Sequence, residues 1–222
     1  MFNFRRLVEL MNAQSLFAHL HALLDAADPH IINHAEDGEE RIPVFHHAAA
    51  PAHADDAVCL AGRLNGAGDD LLALYRRHNG LQLFARKDDP QACLSFLPVA
   101  DMAAGKEELA DWLQIDEDTL DKDELGLYTT DEGAPAYYGF PDWWENAVVF
   151  AYFGHSPECL LMPADGAYRG KIFIFEHDGG NGISQIADNL SDLFRQLATD
   201  SIGFLRRYYG MYWYYAASYH PD

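Results

Sequence analysis

Three groupings of side chains have the types and spacing to do chemistry. Glu176-His177-Asp178 sets an imidazole between two carboxylates, an arrangement that can move a proton. No nucleophile lies near it in sequence, and a polar strand end with His177 bonded to a neighbour accounts for the same residues. The Asp178-Gly179-Gly180-Asn181-Gly182 run that continues it lacks the further acids and terminal Glu of a calcium loop, so it reads as a turn. Seven histidines, His19, His21, His30, His34, His46, His47 and His53, crowd the first quarter of the chain, and imidazole is a common zinc ligand. No HExxH and no Cys/His pairing accompanies them, so the expectation is a solvated segment whose histidines titrate freely. Cys159 follows His155 at a distance that suggests nucleophile and base. A Ser156-Pro157 break separates the two and leads into an apolar run, which favours a buried thiol. With no Gly-rich phosphate loop and no GxSxG, the sequence assigns no catalytic residue, no metal and no cofactor, and the chain is expected not to be an enzyme.

The elements that must position these residues are clearest between Lys171 and Ala198. An apolar run, Ile172 to Phe175, breaks at the polar triplet and at Gly179, Gly180 and Gly182. A second run, Ile183 to Ala187, follows. Asp188, Asn189 or Ser191 then offers a side-chain oxygen to the free N–H groups of a helix whose apolar face is Leu190, Leu193, Phe194 and Leu197. This reads as strand, turn, strand, helix.

Upstream, residues 4 to 27 carry the broad apolar stripe of a helix that ends at Asp28-Pro29. From His30 to Ala54 the text is rich in His, Ala and Pro, and only Ile42 to Phe45 looks strand-like. This gives an expected division into an N-terminal helix and irregular extension, 1–54, and a main domain, 55–222. In the main domain, 55–63 reads as helical, and Asp69-Asp70 opens a second helix that runs to an Asn79-Gly80 stop. Strands are expected at Leu81–Phe84, Ala92–Leu97, Ala147–Phe153 and Glu158–Met162. Their close spacing favours antiparallel pairing, hence an α+β fold with a mainly antiparallel sheet flanked by helices. The tyrosine-dense stretch from Arg206 to Tyr219 suits a half-buried surface.

Charge is the strongest compositional fact. Thirty-five acidic residues against fifteen Lys and Arg give a formal net charge of −20. Such a surface repels a phosphate backbone and an anionic membrane, so neither nucleic acid nor membrane is an expected partner; a basic protein is. No apolar run is long enough to span a membrane, and the charged, amphipathic N-terminus is unlike a secretory signal, so a cytoplasmic location is expected. Cys59, Cys93 and Cys159 are too few and too far apart for a disulfide framework and are expected to be buried thiols. Half the negative excess sits in 101–132, where twelve acids face Lys106 and Lys122. That segment begins as a helix, MAAGKEELADWLQ, and continues as an expected exposed loop, an acidic insert.

LLALYRRHNGLQLF, AVVFAYFG with ECLLMP, and KIFIFEHDGG with ISQIADNLSDLFRQL stand in the order of, and together resemble, the SUKH superfamily, named for the fungal Smi and Knr cell-wall regulators. The residues that carry the resemblance are Tyr75, Asn79, Gly80, Phe173, Phe175, Glu176, His177, Asp178, Ile186, Ala187, Leu190, Leu193, Phe194 and Leu197. It covers roughly 56–200. The usual Leu-Pro before the first helix and Gly-Asp before the middle strand are replaced here, by Leu64–Gly68 and by Gly154–Glu158. Residues 1–54 and the acidic insert lie outside what it explains. The resemblance implies a binding role: bacterial members look like immunity proteins that neutralise a cognate toxin, often a nuclease.

An acidic immunity protein can occlude a basic toxin and meet it quickly under electrostatic steering. The residues expected to touch such a partner are Asp116, Glu117, Asp118, Asp121, Asp123 and Glu124, with Tyr137, Tyr138, Trp143 and Trp144 as aromatic anchors. A solvated acidic loop beside ordinary core aromatics fits the same residues. Two other functions stay open at this point: a metal-dependent hydrolase built on the histidine-rich segment, and a regulatory scaffold.

Overall fold

The structure, a computed structural model, describes residues 4–35, 38–91, 93–154, 156–177, 182–208 and 217–221. The fold is α+β. Its centre is an antiparallel sheet whose strands run, in spatial order, β11 (Ala217–His220), β1 (His30–Ala35), β2 (Gly38–Ala48), β3 (Leu81–Arg86), β4 (Leu94–Phe96), β7 (Ala147–Phe153), β8 (Cys159–Pro163), β9 (Ile172–Glu176), β10 (Gly182–Ala187), β6 (Pro135–Tyr138) and β5 (Gly126–Thr129).

The middle strands are covered on both faces, which is why they read as unbroken apolar runs. Alternate residues feed different cores. Val148, Phe150, Leu160, Met162, Ile172 and Ile174 join the larger core, beneath α1 (Phe4–Leu24), α2 (Ala54–Leu64), α3 (Asp69–Tyr75), α5 (Leu190–Thr199) and α6 (Ser201–Tyr208). Val149, Cys159, Leu161, Phe173, Phe175 and Ile183 join a second core on the other face, under α4 (Met102–Thr119).

The Lys171–Ala198 stretch folds as its pattern indicates. β9 and β10 pair antiparallel, and the Asn189 side chain caps α5 by accepting the Asp192 N–H at 2.9 Å. Leu190, Leu193, Phe194 and Leu197 are all buried. The turn residues Asp178 to Asn181 lie outside the described residues, as do His155 and positions 209–216 of the tyrosine-rich segment.

The residues behind the resemblance have structural duties. The Tyr75 hydroxyl donates to the Leu97 carbonyl at 2.6 Å. Asn79 Oδ1 accepts the Val99 N–H at 3.0 Å. Gly80 has φ +115°, and a Cβ there would meet the Phe96 carbonyl oxygen at 2.9 Å. Asn79-Gly80 therefore seats strand β3 rather than stopping the helix, which gives way to a turn after Tyr75.

Three expectations are corrected. The span from His30 is not an irregular excursion: β1 and β2 form a hairpin, with Gly38 at φ +131°, and β2 pairs with β3. Alternation was hidden because the residues of the hairpin that are not buried mix polar Asn33, Glu39, Glu40 and Arg41 with Ile32, Pro43 and Phe45. Likewise the acidic stretch is a loop only in part, over 120–125. α4 extends to Thr119 and β5 follows after six residues, so Asp116, Glu117 and Asp118 lie on a helix. Cys59 is exposed, unlike the buried Cys93 and Cys159.

Candidate protein-interaction surface

The acidic residues are positioned by the helix that carries them. Leu109 and Leu113, one turn apart, are fully buried in the second core and fix which side of α4 faces the sheet. Tyr152 donates to the Gly105 carbonyl at 2.6 Å, and Lys106 Nζ donates to the carbonyls of Trp144 and Glu145 at 2.7 and 2.9 Å, pinning the helix's first turns. Burial first, and then the charge of Arg63, lowers the Lys106 pKa. The opposite side is left to Glu107, Glu108, Asp111, Gln114 and Asp118, all exposed.

At the far end, Glu117 and Asp118 place negative charge where the helix dipole is also negative, an arrangement that costs stability. Local bonds hold them. Glu117 accepts the Phe140 N–H at 3.3 Å, and Asp118 accepts from Gln114 Nε2 at 3.2 Å. Beyond the helix, the Asp121 N–H donates to Glu124 Oε2 at 2.9 Å while the Asp121 carbonyl accepts the Glu124 N–H at 2.8 Å. Asp121, Asp123 and Glu124 are exposed on this closed turn, which delivers the chain to β5. The side chain of Asp116 lies outside the described residues.

The four aromatic candidates divide. Tyr137 and Trp143 are 3% and 4% exposed and stack edge-on in the second core with Phe173 beside them. They present no surface to a partner, and burial pushes the Tyr137 hydroxyl up to about 12. Trp144 is half-buried in a cleft of about 460 Å³ at the other end of α4, with Lys106 Nζ 4.8 Å above its ring. Ala110, the last helix residue lining that cleft, lies seven residues, roughly 10 Å along the axis, before Glu117, and the Trp144 ring stands 5.5 Å from that of Phe140, whose N–H Glu117 accepts. Tyr138 lies on β6 and stacks on Tyr128 of β5 at 5.0 Å. The structure thus brings Tyr138 into the neighbourhood of the acidic turn, and connects Trp144 to Glu117 through Phe140 although its cleft opens toward the start of α4.

Sequence reasoning missed β5 itself. Leu127 is 59% exposed, and Asp131 and Glu132 flank the strand on its far side. The signal was present in a β-prone Leu-Tyr-Thr, the turn residues Asp131-Glu132-Gly133 and the run Pro-Ala-Tyr-Tyr.

Among the described residues, which exclude His155 and Asp178, those with catalytic potential do not assemble. His177 is exposed with its ring 4.1 Å from Trp112, and its N–H donates to Glu158 at 3.4 Å. Cys159 is fully buried, which pushes its thiol far up. The seven histidines scatter over α1, the β1–β2 hairpin and the start of α2. Among the described residues, no group of three or more His, Cys, Asp or Glu is placed to hold a metal ion. Nor is any helix among them long and apolar enough to cross a membrane.

The model of one protein family, described as SMI1 / KNR4 family (SUKH-1), matches residues 69–196, from the first residue of α3 through most of α5 and including the acidic segment. No curated protein matches the chain.

Proposed function

The chain belongs to the SMI1/KNR4 family (SUKH-1), and from that membership and the acidic surface we propose that it is a non-enzymatic, cytoplasmic binding module that neutralises a basic toxin domain. The observation that carries this reading is the presentation of Glu117, Asp118, Asp121, Asp123 and Glu124. All are exposed, and they sit on a helix end and a turn fixed by their own hydrogen bonds. Between Glu107 and Glu132 the chain offers one cation, Lys122, against this charge. A preset negative surface attracts a positively charged partner over a Debye length and orients it before contact. A nuclease must hold a phosphate backbone and so offers the complementary positive surface. Tyr138, Trp144 and Asp116 complete the proposed contact set.

The test is binding of the purified chain to the inactivated toxin domain encoded by the neighbouring gene. Tight binding is expected, weakening by at least ~10-fold between ~50 and ~200 mM salt, with a slower association rate when Asp116, Asp118 and Asp121 are changed to Asn. Salt-independent binding overturns the electrostatic mechanism, and absence of binding overturns the immunity reading.

A further inference from the structure

Strand β5 ends the sheet. Among the described residues its only strand neighbour is β6, with Gly126 opposite Tyr138, Leu127 opposite Tyr137, Tyr128 opposite Ala136 and Thr129 opposite Pro135. The hydrogen-bond phase of this ladder is fixed by the pair just beyond it, where the Thr130 N–H donates to the Ala134 carbonyl at 2.9 Å. Bonded pairs alternate along an antiparallel ladder, so Tyr128 and Gly126 spend their main-chain groups on β6. Leu127 and Thr129 turn theirs outward. Together they offer two N–H donors and two carbonyl acceptors spaced to receive one more strand.

We propose that this edge takes an extended, basic segment of the partner as an added strand. This rests on the reading of the chain as a capturer of basic toxin domains and supplies the mode of capture. Charge argues for the occupant. Asp121, Asp123 and Glu124 stand at one end of β5, and Asp131 and Glu132 at the other. A second copy of this chain would bring those acids against their own kind, with −20 on each partner. A strand with Lys or Arg at its ends meets Asp121, Asp123 and Glu124 at one and Asp131 at the other, where Glu132 is ion-paired with Arg207.

The two faces of the edge differ, and this predicts the pattern of the incoming strand. Leu127 shares a face with Tyr137 and α4, and its side chain is 59% exposed, so it offers apolar contact there. On the other face, Tyr128 lines a polar cleft of about 730 Å³ with Asp131, Glu176, Ser184, Gln196 and the Glu132–Arg207 ion pair. The added strand therefore alternates aliphatic residues toward Leu127 with polar residues toward the cleft, and its Lys or Arg residues fall at the ends. Main-chain bonds give such a union its strength and the alternating side chains its selectivity.

The experiment uses the full chain and the inactivated toxin domain encoded beside it. Thr129→Pro removes one outward N–H and no bond to β6; Thr129→Val keeps that N–H. Under the proposal, Thr129→Pro weakens binding at least tenfold while Thr129→Val binds like wild type. In the 15N-labelled chain, the amide protons of Leu127 and Thr129 become protected from exchange on complex formation. Unchanged exchange at both amides overturns the proposal, whatever becomes of the proline variant's folding. Wild-type binding by a folded Thr129→Pro overturns it as well. In either case a loss of affinity on neutralising Asp118 and Asp121 leaves the electrostatic reading standing; no binding by any form overturns both.

Discussion

The carboxylate of Asp70, at the start of α3, accepts the N–H of Ser191, at the start of α5, at 3.2 Å across 121 residues of sequence. Its other oxygen accepts the N–H of Leu71 at 2.9 Å. One buried side chain therefore serves the open N-termini of two helices, where unsatisfied N–H groups and the helix dipole both favour a negative charge. Burial raises the Asp70 pKa, and the N–H bonds oppose that rise.

Replacing Asp70 by Ala strands both N–H groups in the interior. A loss of roughly 2–3 kcal/mol of unfolding free energy is expected from one cap and one buried donor. Asp70→Asn keeps one acceptor and loses less. Urea unfolding checks both, and an Ala variant as stable as wild type would remove the inter-helix bond from the account of the fold.

His46 makes the fold sensitive to acid. Its Nδ1 accepts the Phe84 N–H at 3.2 Å, so the proton is on Nε2, which donates to the Tyr219 hydroxyl at 2.9 Å. Burial lowers its pKa from 6.5 to about 4. The unfolded chain takes up this proton near 6.5 and the folded chain only near 4. Stability present above 6.5 is therefore lost as pH falls through that window, by at most about 3 kcal/mol. Melting temperature measured from pH 7 to pH 4 should fall more steeply for wild type than for His46→Asn.

Gly80→Ala combines a positive φ with a Cβ pressed on the Phe96 carbonyl. A destabilisation of about 1–3 kcal/mol is expected, and chemical denaturation reads it directly.

The neighbouring tryptophans should separate cleanly. Trp143→Ala empties a core position and is expected to cost roughly 3–5 kcal/mol. Trp144→Ala, in a surface cleft, should cost about 1 kcal/mol, in the ordinary range for a single substitution. Equal losses in thermal unfolding would contradict the placement of these two rings.

Removal of residues 1–54 takes away β1 and β2, exposes the edge of β3, and strips Leu16, Leu20, Ile31 and Val44 from the larger core. The remaining chain is expected to aggregate or lose its cooperative melt, which light scattering and calorimetry can follow. A soluble fragment with an unchanged melt would show that 1–54 is a separable extension.

What the sequence alone determined was local or charge-based. A cap among Asp188, Asn189 and Ser191, the face of α5, the apolar runs of β7 to β9 and the order of the motifs follow from residue type and period, and they were enough to show an antiparallel α+β family fold. The concentration of acids between 101 and 132 was equally plain, because charge can be counted without knowing where it lies. Tertiary structure decided what depends on partners distant in the chain. The β1–β2 hairpin has little periodicity of its own and is held by pairing to β3 and β11. Tyr137 and Tyr138 are adjacent and alike, yet the pleat sends one into a core and the other to the surface. Leu127 and Thr129 acquire an open edge only because β5, through β6, happens to be the last strand of the sheet, and no local signal records which strand is last.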